Sequence, residues 1–230
     1  MCRYLIFDGY ADTASRLLHQ LFEAQKQTPD LEDGDIVESM HLLALAYSDL
    51  GREQEALQFQ AIVVDIQKRT KGWNNLATLR SMQSLANAYI LHDRPEEAIK
   101  LLEEVLKVQT GKEEGVHPDV LLSKDGLARA YTRCFRSAEA AELCKTILYI
   151  RGQPEGMKDL DALQSIDTLA EALSGLGQLN DSAQWLEVAL AARRRILGFE
   201  HPHTLRNMHK LGIVYGQLGR VGEAREMQLL

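Results

Sequence analysis

Residues 75–116 read NLATLRSMQSLANAYILHDRPEEAIKLLEEVLKVQTGKEEGV, and this 42-residue pattern recurs along the chain in unbroken phase. Aligning the copies requires no insertion. One column holds leucine throughout: Leu43, Leu85, Leu127, Leu169 and Leu211. Two others hold mostly tyrosine and mostly alanine: Tyr47, Tyr89, Tyr131, Leu173 and Tyr215, then Ala56, Ala98, Ala140, Ser182 and Ala224. A fixed period of this length indicates a stacked array of helical hairpins.

Each unit contains two amphipathic helices. In residues 75–116, one apolar face recurs at helical spacing: Leu79, Met82, Leu85, Ala86 and Tyr89. We name this element helix A. Helix B follows, with Pro95 in its first turn and apolar residues onward from Ala98. The small side chains of Ala86 and Ala98 predict close packing of A on B.

Gly51, Gly177 and Gly219 stand at the turn between helices A and B. A left-handed backbone favours glycine at such a turn. The same column holds Asp93 and Phe135, and a bulky residue is costly at positive φ. We therefore expect differently built turns there, with Phe135 packed against a neighbouring helix.

Composition limits the class of protein. The 26 Lys and Arg and 33 Asp and Glu residues give a net charge of −7, which argues against nucleic acid or an anionic membrane as the main partner. The three cysteines form no CxxC pair, so we predict no disulfide framework, metal site or cofactor. The sequence shows neither a signal peptide nor an apolar membrane segment. We expect a cytoplasmic protein.

The period predicts one array over residues 1–230. Residues 1–32 form a partial repeat with a helix B at 13–27, and 201–230 form another partial repeat. The full repeats are 33–74, 75–116, 117–158 and 159–200. Neither end has a polar cap. We therefore expect a segment of a longer array, or ends that are covered by self-association or by atypical helix packing.

The segments between units carry a family resemblance. LGFEHPHTL at 197–205, HPDVL at 117–121 and the Gly-Arg-x-x-Glu-Ala turns at 51–56 and 219–224 resemble the 42-residue tetratricopeptide repeat. This variant occurs in kinesin light chains and in the C-terminal arrays of fungal and bacterial NTPase-type (STAND) immune receptors, which the 197–205 segment resembles more closely. The resemblance implies an all-α, right-handed superhelical solenoid of antiparallel helix hairpins. Its A helices would line a concave groove that takes extended peptides.

Projecting the repeat pattern predicts the groove residues. These are the helix A positions that the core does not use: Arg80, Gln83, Asn87, Asp125, Arg129, Arg133, Asp167, Glu171, His209 and Lys210. Arg129 and Arg133 share one helical face beside Asn87, and together they would offer forked donors and an amide to a peptide. In the alternative interpretation, Asp125 and Arg129 pair on a solvated face and Glu171 neutralises Arg133.

Other features favour structural roles. The basic run Arg193 to Arg195 suits a helix C-terminus, His201 and His203 lack further ligands, and Trp185 falls in a core column. Trp73 is the better candidate for an exposed contact. The sequence contains no catalytic motif, and Thr110-Gly111-Lys112 lacks the first glycine of a P-loop.

The leading prediction is a protein-interaction scaffold, not an enzyme, that binds a peptide or protein segment in its groove. The alternative is a sensor or autoregulatory segment of an NTPase-type receptor, with the NTPase absent from this chain.

Overall fold

The computed structural model describes residues 33–110, 118–152 and 160–228, together with Arg16 and Gln20. Ten α-helices lie within these ranges, and no strand does. In chain order they are α1 (Asp33–Asp49), α2 (Glu53–Thr70), α3 (Leu76–Leu91), α4 (Pro95–Thr110), α5 (Pro118–Arg133), α6 (Ser137–Arg151), α7 (Leu160–Gly175), α8 (Leu179–Leu197), α9 (Pro202–Gln217) and α10 (Val221–Gln228). Apart from Arg16 and Gln20, the helix B expected at 13–27 lies outside the described residues.

The helices keep the period of the sequence. The A helices α3, α5, α7 and α9 begin at Leu76, Pro118, Leu160 and Pro202, and the B helices from α2 onward begin at Glu53, Pro95, Ser137, Leu179 and Val221. Both series advance by the 42 residues of the sequence repeat. The structure forms two compact units, one ending at Val108 and one beginning at Gln109, which are described separately.

In the first unit, the predicted core columns are buried. The packing of α1 on α2 is built from Met40, Leu43, Ala46, Tyr47, Ala56, Val63 and Ile66. A second cluster joins α2, α3 and α4 through Leu57, Val64, Leu79, Met82, Leu85 and Val105. Ala86 and Ala98 are fully buried, as expected for the small residues where A meets B. Trp73 is 46% exposed, and the ammonium of Lys68 lies 3.8 Å from its ring centroid.

The second unit has two clusters of its own. One joins α5, α6, α7 and α8 around Ala140, Cys144, Leu163, Ile166, Leu169 and Ala189, with Trp185 packed against it. The other joins α7, α8, α9 and α10 around Ala170, Leu186, Met208, Leu211, Tyr215 and Ala224. Trp185 therefore has the core role that its column predicts.

The five A-to-B turns within the described ranges share one backbone conformation, which corrects the prediction for Asp93 and Phe135. Their φ angles are +57° and +58°, beside +68° to +75° for the glycines of the same column. Each turn also has the same hydrogen bond between an amide and the carbonyl five residues earlier, as Arg136 N donates to Tyr131 O at 2.9 Å. This is the pattern of a Schellman helix end. Phe135 is 94% exposed and does not pack on a neighbouring helix.

A recurring contact explains why one turn shape tolerates different residues. At four of the turns an arginine stacks on the tyrosine of helix A and pairs with a glutamate three residues later. In the first turn, Arg52 lies 4.5 Å from the Tyr47 ring centroid and 2.7 Å from Glu55. The other three sets are Tyr89, Arg94 and Glu97; Tyr131, Arg136 and Glu139; and Tyr215, Arg220 and Glu223. These side chains hold the start of helix B against the end of helix A.

Candidate functional site

The predicted groove residues fall in both units. Arg80, Gln83 and Asn87 lie on α3 of the first unit, where Arg80 is exposed and the other two are half-buried. The remaining seven lie on α5, α7 and α9 of the second unit. The second unit also carries the cavities described below, so its A helices are considered in most detail.

Asp125 does not face a groove, contrary to its predicted role. It is 8% exposed, and one carboxylate oxygen accepts a 2.7 Å hydrogen bond from the Ser165 hydroxyl. Burial raises the pKa of the Asp125 carboxyl, although the Ser165 hydrogen bond and the Arg129 charge act to lower it. Asp125 therefore joins α5 to α7 instead of offering an open ligand contact.

Arg129 and Arg133 have different environments. Arg129 is half-buried, with Nε 3.6 Å from an Asp125 carboxylate oxygen, whereas Arg133 is exposed. The Asp125–Arg129 pair of the alternative interpretation is therefore present, but Asp125 is buried and the pair does not lie on a solvated face. Glu171 pairs with Lys210 at 2.6 Å, and its pairing with Arg133 stays a prediction.

A charge network connects α7, α8 and α9. The guanidinium of Arg193 donates two 2.8 Å hydrogen bonds to the Asp167 carboxylate and a third, at 3.0 Å, to the Leu163 carbonyl. Lys210 lies 4.0 Å from Asp167 and 2.6 Å from Glu171. Arg193 is 4% exposed and therefore has a buried role, whereas Arg194 and Arg195 lie in the last turn of α8, where a basic run was expected. A bidentate pair in a buried setting fixes the geometry of the neighbouring side chains.

A polar cavity of about 200 Å³ is lined in part by the residues of this network. Predicted groove residues line part of it, namely Arg129, Asp167, Glu171 and Lys210. The rest of its lining comes from Leu160, Asp161, Gln164, Thr168, Arg193, Leu197, His203 and Arg206. His209 is exposed on α9 and does not line it.

A second cavity, of about 250 Å³, adjoins the first. Glu171 and Lys210 line both cavities, so their ion pair stands between them. The second cavity is largely apolar, and the sequence analysis missed it. Its other lining residues are Ala170, Ser174, Ser182, Leu186, Ile213, Val214 and Gln217.

One sequence signal does mark the network. Arg193 belongs to a repeat column that reads Gln25, Gln67, Gln109, Arg151 and Arg193. Long polar side chains at this helix B position of five successive units indicate a shared polar role. Gln67 is buried, and Arg151 lies 3.8 Å from Asp161. The column could be identified from the sequence, but the helix A residues that pair with its members could not.

The described residues show no arrangement suited to metal or thiol chemistry. Within them, no three His, Cys, Asp or Glu side chains converge as metal ligands would. Cys144 is fully buried, and burial raises the pKa of its thiol well above the ordinary value. Across the same ranges, no helix is long and apolar enough to cross a membrane. The site offers hydrogen bonds, charge and apolar surface to a ligand.

Comparison with known families agrees with this description. A model of the tetratricopeptide repeat matches residues 35–111 and 161–229, so the chain belongs to the tetratricopeptide repeat family. The predicted all-α array of helix hairpins is thereby confirmed. This is a scaffold fold. No curated protein matches the chain.

Three solved structures are similar to the chain. The nearly identical TPR-like repeats of a Podosopora anserina protein assigned as a kinesin light chain are 32% identical, over 86% of this chain and 93% of that one, with a TM-score of 0.71. BtubC (BKLC) from P. vanneervenii is 17% identical over 87% and 80%, with a TM-score of 0.69. NprR, in complex with its cognate peptide NprX, is 16% identical over 98% and 62%, with a TM-score of 0.63. The last two share the fold alone.

Proposed function

We propose that the chain is a protein-interaction scaffold that binds a peptide or protein segment along its A helices. The observation that carries this proposal is the pair of adjoining cavities, one polar and one apolar, on α7 and α9 of the second unit. A polar site beside an apolar one suits a polypeptide, whose main chain needs hydrogen bonds and whose side chains need apolar contacts. The fold supports the same conclusion, since the similarly folded NprR was solved with a peptide.

The repeat supplies a matched set of positions for testing this proposal. One exposed column lies on the A helices: Arg80, Leu122, Gln164 and Arg206. Another exposed column lies on the B helices: Lys100, Glu142, Gln184 and Glu226. Each column has one member on each of four successive A or B helices. The two columns differ in the type of helix that carries them, A or B, and every position in both columns is exposed to solvent.

A photo-crosslinking amino acid placed at each of the eight positions tests the proposal in source-cell lysate. The expected result is one protein partner crosslinked from positions on the A helices and not from those on the B helices. Helicity of each variant is checked by circular dichroism. Crosslinking to the same partner from the B column alone would refute binding along the A helices.

The receptor alternative depends on a different observation, the resemblance of segment 197–205 to the STAND arrays. Under this alternative the partner is the upstream NTPase domain of the same polypeptide. Reading the genomic sequence for a P-loop in frame with this chain separates the two proposals. We further propose that the scaffold acts in the cytoplasm, and fractionation with a tagged full-length protein tests that location.

A further inference from the structure

The two cavities lie end to end between α7 and α9, and we call the surface that they form together the valley. The polar cavity uses the N-terminal parts of these helices, including Asp161 and His203, and the apolar one reaches Ser174 and Gln217 near their C-terminal ends. From His203 to Gln217 the helix rises about 21 Å, at roughly 1.5 Å per residue. About six residues of an extended chain cover that length. The valley therefore runs parallel to the helices.

Some of the charged side chains that line the polar cavity have an ion-pair partner, and Arg206 has none in the part of the chain that the structure describes. Asp167 is held by Arg193 and Lys210, and Glu171 is held by Lys210. Arg206 also lines the cavity and is exposed, and within the described ranges it makes no ion pair. An added anion at this end finds a cation whose charge is not already matched, whereas an added cation competes with Lys210 for Asp167 and Glu171. The first turns of α7 and α9 lie at the same end and also favour negative charge.

The apolar cavity suits one aliphatic side chain. Its walls include Ala170, Leu186, Val214 and Ile213, and Ile213 is 46% exposed. Two of its polar lining groups already have hydrogen-bond partners, because the hydroxyls of Ser174 and Ser182 hydrogen-bond to each other at 2.9 Å. Covering Ile213 with an aliphatic group removes apolar surface from water without leaving those hydroxyls unpaired.

We propose that this valley binds an extended peptide with an aspartate or glutamate side chain at the polar cavity and an aliphatic side chain at the apolar cavity. This inference depends on the proposed function and specifies its ligand. Arg206 and Ile213 are separated by about 10 Å along α9, at ~1.5 Å per residue. In a polyproline II conformation, residues three apart share a face and span about 9 Å. The recognised pattern is therefore an acidic residue, two intervening residues and an aliphatic residue, lying parallel to α7 and α9.

The acidic subsite is tested by a charge swap. The probe is a fluorescein-labelled, C-terminally amidated octapeptide with one aspartate and one leucine separated by two serines, the remainder being glycine and serine. Fluorescence anisotropy measures its Kd with the full chain. Arg206→Glu is expected to weaken binding about tenfold, as for loss of a charge-assisted contact. Replacing the aspartate of the probe with lysine is expected to restore binding to this variant.

The matched control for Arg206→Glu is Arg225→Glu, which makes the same charge change at an exposed position of the same unit outside both cavities. It is expected to leave the Kd within about twofold, because Arg225 lines neither cavity and charges at an exposed surface are screened by solvent and salt. Equal losses in the two variants would overturn the assignment and indicate a general electrostatic effect. An asparagine probe with a free C-terminal carboxylate that binds more tightly than the amidated aspartate probe would also overturn the side-chain assignment.

The apolar subsite is tested by coupling protein and probe changes. Ile213→Ser is expected to weaken binding of the leucine probe about fivefold and to leave an alanine probe unaffected, because the alanine makes little of the same contact. Val221→Ser, at an exposed position outside both cavities, is the control. Equal effects of Ile213→Ser on both probes would remove the aliphatic assignment. If these tests fail while crosslinks still map to the A helices, the valley assignment is wrong and the proposed scaffold function stands.

Discussion

Replacing Phe135 with glycine is expected to stabilise the protein. Phe135 occupies a left-handed backbone conformation, with φ of +58°, while its ring is 94% exposed. A side chain in this region costs about 1–2 kcal/mol, because Cβ crowds the following carbonyl. Since the ring is almost fully exposed, its removal sacrifices little buried apolar contact.

The size of the gain follows from two opposing effects. Relief of the crowding contributes about 1–2 kcal/mol, and the greater freedom of glycine in the unfolded chain takes back roughly 0.5–1 kcal/mol. The expected net gain for Phe135→Gly is therefore about 0.5–1 kcal/mol. Asp93→Gly relieves the same conformation with a smaller gain, because aspartate tolerates φ near its +57° better than phenylalanine does.

Urea unfolding followed by circular dichroism measures this effect, with hydrogen exchange of the Phe135 and Arg136 amides reporting the turn itself. The reverse change, Gly177→Phe, is the matched control. Gly177 has φ of +75°, and a Cβ added there meets no atom within 4 Å, so the backbone alone is strained. That variant is expected to lose about 1 kcal/mol. A lower unfolding midpoint for Phe135→Gly, or no loss for Gly177→Phe, would refute the reasoning.

Three further predictions concern buried groups of the second unit. Arg193→Ala is expected to cost about 2–4 kcal/mol in urea unfolding, because it leaves Asp167 with only Lys210 nearby; a cost below roughly 0.5 kcal/mol would contradict the buried network. Asp125→Asn is expected to raise stability at pH 7 and to have a smaller effect near pH 4, measured by urea unfolding at both pH values. A raised folded-state pKa means that stability falls as pH rises above the ordinary value, and asparagine does not ionise; a variant that is less stable at pH 7 would show that the carboxylate is needed. Cys144 is expected to react with Ellman's reagent only on unfolding, since burial raises its thiol pKa, while the half-buried Cys134 reacts first.

The sequence predicted the fold because one unit depends mainly on contacts that recur with a fixed spacing. Leu85 and Ala86 are buried, and the equivalent residues of the other units are buried as well. A 42-residue period therefore reports A-on-B packing directly, without knowledge of distant contacts. Helices from α2 onward begin at the positions that this period requires.

The turn at Phe135 shows where a residue-by-residue argument failed. Glycine preference correctly predicted left-handed turns at Gly51, Gly177 and Gly219, and incorrectly predicted a different turn at Phe135. The stacking of Arg136 on Tyr131 and its pairing with Glu139 hold the backbone there. The cost of one strained residue is small beside such contacts.

The candidate site was predicted less completely, because its chemistry depends on which charges meet. Sequence spacing placed Asp125 and Arg129 on one helix face but did not show that Ser165 of α7 would cover Asp125. It also placed Asp167 on helix A without identifying Arg193 of α8 as its partner. Both contacts join different helices, so no spacing within one helix contains them.

The sequence alone determined the helical-hairpin repeat and the apolar columns, since these follow from periodic burial between adjacent elements. Tertiary structure alone decided which polar side chains are available to a ligand. A charge is buried at low cost only where a partner from another helix is in place, as for Asp167 with Arg193. The exposure of Arg206 depends on how α7 and α9 are positioned relative to each other. The two cavities between those helices have the same origin: they are spaces left by packing, and no residue pattern encodes them directly.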